Sequence, residues 1–442
     1  MIGGHERFFI EKAADFDGKT VTVKGWVNHK RSSGKIKFLM MRDGTGLMQG
    51  ILFKGECGEE SFMDFDKLTQ ESSVEVTGVI RKEPRSVGGY EMGVQSLKIV
   101  SVAEAYPISP KEHGVEFLME HRHLWIRSQR QWAALRIRAE IIRAISEYFD
   151  QLGFIRFDSP ILTPNSCEGT STLFSTNYFE EKAFLTQSGQ LYGETGAMAF
   201  GKVYTFGPTF RAEKSATRKH LTEFWMIEPE VAYADLEDNM RLGEGLIEHI
   251  AQTVLSKRSA ELKILERDLS KLEILKGSFP KISYDDALKI LEKRGVGVPW
   301  GEDFGAPHET ALGEEFGKPV FVHHMPAQIK AFYFKQSDEI FGSASTGTGK
   351  YAFGCDLIAP DGYGEVIGGG QREENVDVLK RRIEEHQLPQ KDYEWYLDLR
   401  RFGSVPHSGF GLGLERTVAW MTGVPHVRET VPYPRLMNTL RP

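Results

Sequence analysis

The first hundred residues are patterned as short, β-rich hydrophobic runs. Residues 19–54 contain three such runs, separated by turn-forming residues at 32–34 and 43–46. Two further strands are predicted at 73–81 and 90–101. Five short strands in about 100 residues indicate a small barrel, and an OB-fold barrel binds single-stranded nucleic acid on its strand face.

A basic and aromatic segment lies within the predicted barrel. Between Lys24 and Arg42 the sequence has six basic residues and no acidic one, interleaved with Trp26 and Phe38. This combination suits phosphate contacts together with base stacking. A barrel with a basic rim and Phe38 in its core would have the same composition, so the pattern leaves both possibilities open.

The pattern changes after the barrel. Residues 104–127 contain prolines and charges of both signs, which is typical of a connecting segment. From 128 to 152 apolar residues recur at helical spacing, which predicts a long amphipathic helix. Residues 154–164 read as a strand, and Pro160 places part of it at a sheet edge because proline cannot donate a ladder hydrogen bond. The predicted organisation is a barrel domain at 1–103, a hinge at 104–127 and a larger domain at 128–442.

A polar hairpin is predicted in the larger domain. If residues 206–213 form a strand, Arg211 and Glu213 share one face of it. The loop that follows carries three full positive charges, which suit a polyanionic ligand, and a second strand then places Phe224 and Glu228 on one face. An antiparallel hairpin with a solvated basic tip is the alternative. Helical patterns are also predicted at 235–275 and 283–294.

Composition limits the class of protein. The chain has 442 residues, too many for one core, with 40% hydrophobic and 26% charged residues and a net charge of -7, as in ordinary globular proteins. It has no run of 18 apolar residues and no signal-peptide pattern at its start, so a cytoplasmic location without membrane association is expected. Cys57, Cys167 and Cys355 lie far apart, which predicts neither a disulfide framework nor a zinc site.

Two glycine-rich segments do not match common motifs. Residues 341–354 lack the P-loop pattern, because Ala344 and Tyr351 stand where glycine and serine or threonine are required. We predict a flexible loop there. The segment HSGFG has Pro406 in place of the first glycine of the G-x-S-x-G nucleophile motif.

Asp356 and Glu365 flank a turn rich in glycine and proline between two predicted strands. Carboxylates on neighbouring strands can converge on Mg²⁺, which takes one or two carboxylates plus phosphate oxygens. Two solvated turn acids are the alternative interpretation.

A glycine-rich strand runs into an apolar helix at residues 402–423, with Arg416 near the start of the helix. Because the N-terminal end of a helix is electrically positive, an arginine there is poorly placed unless an anion is bound. Glycines also let the backbone approach a ligand closely.

Three of these segments resemble the motifs of the class II aminoacyl-tRNA synthetases. The F-R-x-E hairpin resembles motif 2, the long helix with Pro160 resembles motif 1, and G-L-G-L-E-R resembles motif 3. The barrel resembles the anticodon-binding domain of the aspartyl, asparaginyl and lysyl enzymes. The resemblance covers nearly the whole chain and implies an α+β fold: an N-terminal OB-fold barrel and a catalytic domain with an antiparallel sheet flanked by helices, which forms a homodimer through motif 1.

The resemblance also implies a set of site residues. ATP would be bound by Arg211, Glu213, His220, Phe224, Glu365 and Arg416, of which Arg211 and Arg416 would be catalytic. Asp356 and Glu365 would coordinate Mg²⁺. The amino acid would contact Glu168, Ser188, Gln190, Glu228 and Arg372, and the tRNA anticodon would contact Arg31, Phe38 and Gln49.

The resemblance implies L-asparagine as the amino-acid substrate and tRNA(Asn) as the acceptor. Aspartyl enzymes of this family have a lysine at the end of Q-S-P-Q-L-Y-K, whereas this chain has Gly193 there. At ~4 Å and an effective dielectric of ~20, a missing unit charge is worth about 4 kcal/mol. The alternatives are an aspartyl enzyme, an ATP-dependent asparagine synthetase and a non-catalytic tRNA-binding relative. The barrel argues against the second, and the intact site residues argue against the third.

Overall fold

A closed five-stranded barrel forms the first of the two units into which the chain divides, Met1–Val115 and Glu116–Pro442. The computed structural model describes residues 8–168, 172–215, 217–337 and 350–442. The elements of the barrel unit are β1 (Thr20–Ser33), β2 (Ile36–Arg42), β3 (Leu47–Phe53), α1 (Lys54–Lys67), β4 (Ser73–Lys82) and β5 (Tyr90–Ser101).

The strands of the barrel follow the order β1-β2-β3-β5-β4, and β1 pairs with β4 to close it. Side chains alternate between its inside and its outside, as Lys37, Leu39 and Met41 of β2 show by being buried. The apolar members join a core of valine, leucine, isoleucine and methionine side chains. The predicted five-stranded barrel is therefore confirmed, whereas α1 has no counterpart among the predicted elements.

Part of the basic segment fastens α1 to the barrel. Lys37 is 6% exposed, and its Nζ donates to Phe62 O at 2.6 Å and to Asp66 Oδ2 at 2.8 Å. Lys30 Nζ donates to the backbone oxygens of Phe65 and Asp66, both at 2.9 Å. Two of the six basic residues between positions 24 and 42 therefore have a structural role, so the segment is not one continuous phosphate-binding surface.

The second unit combines a large sheet with helices. Its elements, from residue 115 onward, are α2 (Val115–Glu120), α3 (Arg122–Trp125), α4 (Gln129–Gln151), β6 (Ile155–Arg156), β7 (Leu162–Thr163), β8 (Ser175–Tyr178), β9 (Glu181–Leu185), α5 (Gln190–Phe200), β10 (Lys202–Phe210), β11 (Glu223–Ala232), α6 (Leu236–Lys257), α7 (Ser259–Ile264), α8 (Ser270–Glu273), β12 (Lys281–Ser283), α9 (Tyr284–Lys293), α10 (Ala306–Phe316), β13 (Val320–Pro326), β14 (Gln336–Ser337), β15 (Tyr351–Ala359), β16 (Gly364–Gln371), α11 (Val376–Glu385), α12 (Glu394–Arg401), β17 (His407–Gly413) and α13 (Leu414–Thr422). In the described part of the chain, no helix is long and apolar enough to cross a membrane.

The large sheet has the strand order β12-β13-β15-β16-β17-β11-β10-β6, with β14 added beside β15. Its pairs are antiparallel except for β12 with β13 and β10 with β6. A smaller sheet has the order β7-β9-β8. Apolar side chains of α4, α6 and α13 pack with those of the central strands in one core, for example Ile137, Ile247, Val418 and Phe410. Helices packed on a mainly antiparallel sheet confirm the predicted α+β class.

Pro160 separates two strands and does not lie within one. β6 pairs with β10 in the large sheet, whereas β7 pairs with β9 in the small sheet. The single strand predicted at 154–164 is therefore wrong. Proline removes a ladder hydrogen bond, which is consistent with a change of sheet at this point.

Two other predicted segments differ from the structure. The helix predicted at 235–275 is three helices, because Arg258 (φ -131°) and Glu266 (φ 57°) leave the helical conformation. Residues 341–349 of the predicted loop lie outside the described residues, and residues 351–354 belong to β15.

We expect Lys37→Ala to loosen α1. The change removes a buried cation together with the two hydrogen bonds that it donates to α1, and hydrogen bonds to charged groups are worth roughly 1.5 to 3 kcal/mol each. Hydrogen exchange of the full-length protein should show faster exchange over residues 54–67. Lys35→Ala, an exposed change at the β1–β2 turn, is the matched control and should leave exchange as in the parent. Equal protection in both variants would contradict the role of Lys37.

Candidate active site

A cleft of about 430 Å³ opens over the large sheet of the second unit. It is lined by the β10–β11 hairpin, by β16 and β17, and by the N-terminal ends of α10 and α13. All the residues predicted to bind the nucleotide are in its wall, namely Arg211, Glu213, His220, Phe224, Glu365 and Arg416. The fold thus collects side chains from segments some 200 positions apart into one site.

Arg211 and Phe224 face each other at the end of the hairpin. β10 ends at Phe210, so Arg211 and Glu213 lie beyond the strand and the prediction of a strand at 206–213 is wrong at its end. The Arg211 N–H still donates to Thr222 O at 3.0 Å. Its guanidinium carbon lies 5.5 Å from the centre of the Phe224 ring. Burial opposes its charge, yet neighbouring carboxylates, first among them Glu168, raise the pKa of Arg211. Among the described residues Arg211 Nε has no hydrogen-bond partner, so a cation faces the cleft with a donor to offer.

His220 closes the loop that follows. Its Nε2 lies 3.9 Å from Glu213 Oε2, and its Nδ1 lies 2.5 Å from Thr217 Oγ1. Burial, and then the Arg416 guanidinium, lower the pKa of His220 below its ordinary value of 6.5. The imidazole is therefore neutral at pH 7, and the positive charge of the loop comes from its lysines and arginine.

Arg416 lies in the first turn of α13. The strand before this helix comes close to β11, since a methyl group on Gly411 would lie 2.3 Å from Met226 Cε. Arg416 Nη1 donates to the backbone oxygen of Glu365, which ties α13 to β16. The guanidinium and the positive end of the helix together make this part of the cleft attractive to an anion.

Glu309, on α10, completes this wall and has no counterpart among the predicted site residues. Its Oε2 lies 2.7 Å from Lys219 Nζ, and its Oε1 accepts a hydrogen bond from the Glu365 N–H at 3.2 Å. The Lys219 link spans 90 positions of the sequence. No local pattern around Glu309 signals it.

Four of the five residues predicted to bind the amino acid are buried, and Glu228 lies at the centre of the group. Its carboxylate accepts hydrogen bonds from the Ser188 hydroxyl, from the Gly189 N–H at 2.7 Å and from Thr205 Oγ1 at 3.0 Å. Burial raises the pKa of Glu228, although these hydrogen bonds oppose the shift. A carboxylate with raised pKa at a buried position is suited to meeting a cation.

Glu168 and Arg372 are joined through Tyr333. The Tyr333 hydroxyl donates to Glu168 Oε1 at 2.9 Å, and the Arg372 guanidinium carbon lies 5.2 Å from the centre of its ring. Arg372 is 1% exposed and its Nη2 lies 2.5 Å from Glu230 Oε1. Arg372 Nη1 has no hydrogen-bond partner within the described ranges, so the guanidinium keeps a donor for a ligand.

Gln190 is attached to a buried polar network behind these residues. Its Nε2 donates to Glu194 Oε1 at 3.1 Å. The Glu194 carboxylate is fully buried and also contacts Tyr396, Arg400 and His407. Arg372 Nε lies 4.0 Å from Glu194 Oε1, so Gln190 and Arg372 are the two predicted site residues that reach this network, whereas Glu194, Tyr396, Arg400 and His407 have no counterpart among the predictions.

Asp356 and Glu365 face the same point of the sheet. A methyl group on Gly368 would lie 2.5 Å from Glu365 Oε1 and 3.5 Å from Asp356 Oδ1. Lys330, a residue without a sequence signal, places its Nζ 2.8 and 2.7 Å from the two Asp356 oxygens. Burial, and then the Asp356 charge, raise the pKa of Glu365 to about 7.

This donor set fits Mg²⁺ bound together with a phosphate ligand. Two carboxylates suffice for Mg²⁺ when phosphate oxygens and water supply the other ligands. Within the described ranges, no three His, Cys, Asp or Glu side chains converge as a metal-binding group. Asp356 and Glu365 therefore leave ligand positions open, which phosphate oxygens and water can fill.

The residues predicted to read the anticodon lie on the outside of the barrel in the first unit. Phe38 is only partly buried, and its neighbours Lys37 and Leu39 point inward, so the alternative of a core Phe38 is wrong. The Arg31 guanidinium carbon lies 4.2 Å from the centre of the Phe38 ring. Gln49 also points outward, with its Nε2 3.5 Å from Glu91 Oε2.

Two family models match the chain. The model described as tRNA synthetases class II (D, K and N) matches residues 114–437, and the model described as OB-fold nucleic acid binding domain matches residues 21–100.

Similar proteins cover nearly the whole chain. An asparagine–tRNA ligase of Desulforamulus reducens is 57% identical over 422 residues, which is 96% of this chain and 96% of that protein. An asparagine–tRNA ligase of Koribacter versatilis is 54% identical over 442 residues, with 98% of each chain covered. The crystal structure of asparaginyl-tRNA synthetase from Pyrococcus horikoshii complexed with asparaginyl-adenylate is 42% identical, with a TM-score of 0.93 and 100% of both chains covered.

We expect Mg²⁺ binding, in the presence of an unreactive ATP analogue, to tighten about tenfold from pH 6 to pH 8. The cation displaces a proton from Glu365, and the pKa of about 7 makes that displacement costly only below neutrality. The stability of the unliganded protein depends on pH in the opposite direction. The folded chain keeps a proton on Glu365 up to a pH of about 7, whereas the unfolded chain releases it at 4.5. The free energy of unfolding therefore falls as the pH rises from 4.5 through about 7.

Calorimetric titration measures the Mg²⁺ affinity at each pH. Glu365→Gln should abolish most of the pH dependence. Asp361→Asn, which removes an exposed acid from the turn between the two strands, is the matched control and should keep it. A parent protein with equal affinity at pH 6 and pH 8 would contradict the assignment.

Proposed function

Since the chain belongs to the class II tRNA synthetases of the D, K and N group, we propose that it charges tRNA(Asn) with L-asparagine. The observation that carries this proposal is its similarity, at 52% to 57% identity and over almost its whole length, to asparagine–tRNA ligases. The enzyme activates asparagine with ATP to asparaginyl-adenylate and then transfers the aminoacyl group to the 3′ end of the tRNA.

In the first step the asparagine carboxylate attacks the α-phosphorus of ATP. A carboxylate–phosphorus bond forms, the bond to the bridging oxygen breaks, and pyrophosphate leaves with that electron pair. We assign Arg211 to the α-phosphate and the carboxylate, Phe224 to the adenine and Arg416 to the γ-phosphate. Positioning and neutralisation of charge therefore account for catalysis, and no side-chain nucleophile is required. The unused donor on Arg211 supports its role.

The ammonium group of asparagine is assigned to Glu168, Gln190 and Glu228. A cation taken out of water needs several acceptors. Gln190 already donates its amide nitrogen to Glu194, so it would offer its carbonyl oxygen. Ser188 orients the Glu228 carboxylate by donating to it, and Arg372 Nη1 would donate to the side-chain oxygen of the substrate.

We also assign Asp356, Glu365, Glu213 and His220 to the nucleotide site, and the last three of these line the cleft. The two carboxylates would hold Mg²⁺, which supplies further neutralisation of the phosphate charge when it is bound. Lys330 holds Asp356 in place, because its Nζ donates to both carboxylate oxygens.

We propose a barrel domain at residues 1–103 that binds the anticodon, a hinge at 104–127 and a catalytic domain at 128–442. Arg31, Phe38 and Gln49 would contact the anticodon bases, and the Arg31–Phe38 stack supports this choice. We further propose a homodimer located in the cytoplasm, where tRNA is charged for translation. Support for a dimer comes from the exposed apolar side chains around β6 to β8, which include Ile155, Ile161, Leu162 and Phe179.

Amino-acid-dependent ATP–pyrophosphate exchange tests the substrate. The purified protein should exchange with asparagine at least a hundredfold faster than with aspartate, and it should aminoacylate tRNA(Asn). Exchange with aspartate equal to or above that with asparagine would show an aspartyl enzyme instead. Formation of free asparagine from aspartate would show an asparagine synthetase.

Arg416→Ala should lower asparagine-dependent exchange at least tenfold. The change removes a charge-assisted contact to a phosphate, worth roughly 1.5 to 3 kcal/mol. Arg241→Ala, on the solvent side of α6, is the control and should exchange like the parent. An Arg416 variant within twofold of the parent would refute the assignment.

Phe38→Ala should weaken tRNA charging and leave pyrophosphate exchange intact. Loss of one stacked base costs ~1 to 3 kcal/mol, so kcat/KM for the tRNA should fall about fivefold to a hundredfold. Phe53→Ala, which removes an exposed phenylalanine at the end of β3, should leave both reactions unchanged. Equal losses of exchange and charging in the Phe38 variant would mean that the change damages the fold.

A further inference from the structure

We propose that Glu194 determines the choice of asparagine over aspartate by adding a buried negative charge behind Arg372. The inference rests on the proposed function, and it identifies a residue that acts on the substrate through neighbouring side chains. In this role Glu194 is a positioning residue, because it contacts Gln190 and Arg372 and not the substrate.

Glu194 has no access to solvent and is held by donors from several elements. It lies on α5, directly after Gly193, and its carboxylate is 0% exposed. The Tyr396 hydroxyl of α12 lies 2.8 and 2.9 Å from the two oxygens, which share its one proton. Arg400 Nη2 donates at 2.7 Å, and His407 Nε2 lies at 3.0 Å. Its position is therefore fixed to within the tolerance of these bonds.

The charge of Glu194 acts directly on the arginine that meets the substrate side chain. Arg372 Nε lies 4.0 Å from Glu194 Oε1, and Arg372 Nη2 lies 2.5 Å from Glu230 Oε1. Burial would raise the pKa of Glu194, but Arg400, His407 and Arg372 together lower it well below its ordinary value, so the carboxylate is ionised at neutral pH. Arg372 is thus flanked by two acids, and its positive charge is largely compensated before any ligand arrives.

An arginine whose charge is already paired discriminates between a carboxamide ligand and a carboxylate ligand. Arg372 Nη1 still offers a donor, which a carboxamide oxygen accepts as readily as a carboxylate oxygen does. An aspartate carboxylate, however, adds a negative charge to a region where Arg372 and Arg400 already face Glu194 and Glu230, with Glu228 nearby, so it finds little uncompensated positive charge there. Glu194 therefore lowers the affinity for aspartate and leaves that for asparagine nearly unchanged.

The neighbouring glycine is consistent with this arrangement. A side chain at Gly193 would begin 3.3 Å from Glu230 Cγ, so the Glu230 carbon chain occupies the space into which a larger residue would extend. The structure therefore places an acid where a residue such as lysine would have to enter.

Exchange kinetics with both amino acids test the inference in Glu194→Gln, which keeps the shape of the side chain and removes its charge. Burial, and then other charges including Glu194, set the pKa of Glu230 at about 7, so the assay is run at pH 8, where Glu230 is ionised. The aspartate-to-asparagine ratio of kcat/KM should rise at least tenfold, through a lower KM for aspartate.

Tyr396→Phe is the matched control. It removes the one hydroxyl donor that the two carboxylate oxygens share, without a change of charge, so it should leave the ratio within threefold of the parent even if it lowers the melting temperature. If Glu194→Gln does not fold, Glu230→Gln removes an acid from the same guanidinium and must raise the ratio tenfold.

The outcomes distinguish the proposed function from the role of Glu194. A parent enzyme that prefers aspartate refutes the proposed function. A parent that prefers asparagine, with a folded Glu194→Gln variant whose ratio rises less than tenfold, overturns the role of Glu194 alone. An equal rise in Tyr396→Phe would also overturn it, because the effect would then come from packing and not from charge.

Discussion

The catalytic unit depends on the compensation of charges that are held out of water. An ionised side chain in a protein interior costs several kcal/mol unless an opposite charge and hydrogen bonds replace its hydration. Asp356 is compensated by Lys330, and Arg372 by Glu230. Each pair joins elements from different parts of the sequence, so a pair is complete only when the sheet and its helices have assembled. Formation of the site and formation of the fold are consequently the same event.

The parts that sequence reasoning predicts well are those set by local rules. The strand period puts Phe224 and Glu228 on one face of β11, as predicted. The glycine-rich strand before α13 predicts the position of Arg416, because its pattern lies within a dozen residues. Such features depend only on the periodicity of a strand or a helix, which the pattern of neighbouring residues determines.

The parts that it misses are contacts between distant segments. Glu230 lies 142 positions from Arg372, and Glu194 lies 206 positions from Arg400. Nothing in the local sequence shows that either acid is buried or paired. The basic segment of the barrel is a related case, since composition alone does not show that Lys37 points inward to bind α1. Which side chains pair across such sequence distances depends on the topology of the whole sheet.

The order of the strands has a consequence for folding during translation. β17, the last strand of the chain, lies between β16 and β11, so the centre of the sheet is filled last. β11 is complete at residue 232, about 175 residues before β17 begins, and at ~5 to 20 residues per second its open edge waits roughly 9 to 35 s for a partner. An unpaired strand edge can pair with another chain, so nascent chains are prone to aggregate during this interval, whereas the folded protein has no such edge at this place. A message truncated between residues 101 and 407 would encode the whole barrel but an incomplete catalytic unit, since the strand that brings Arg416 to the cleft would be missing.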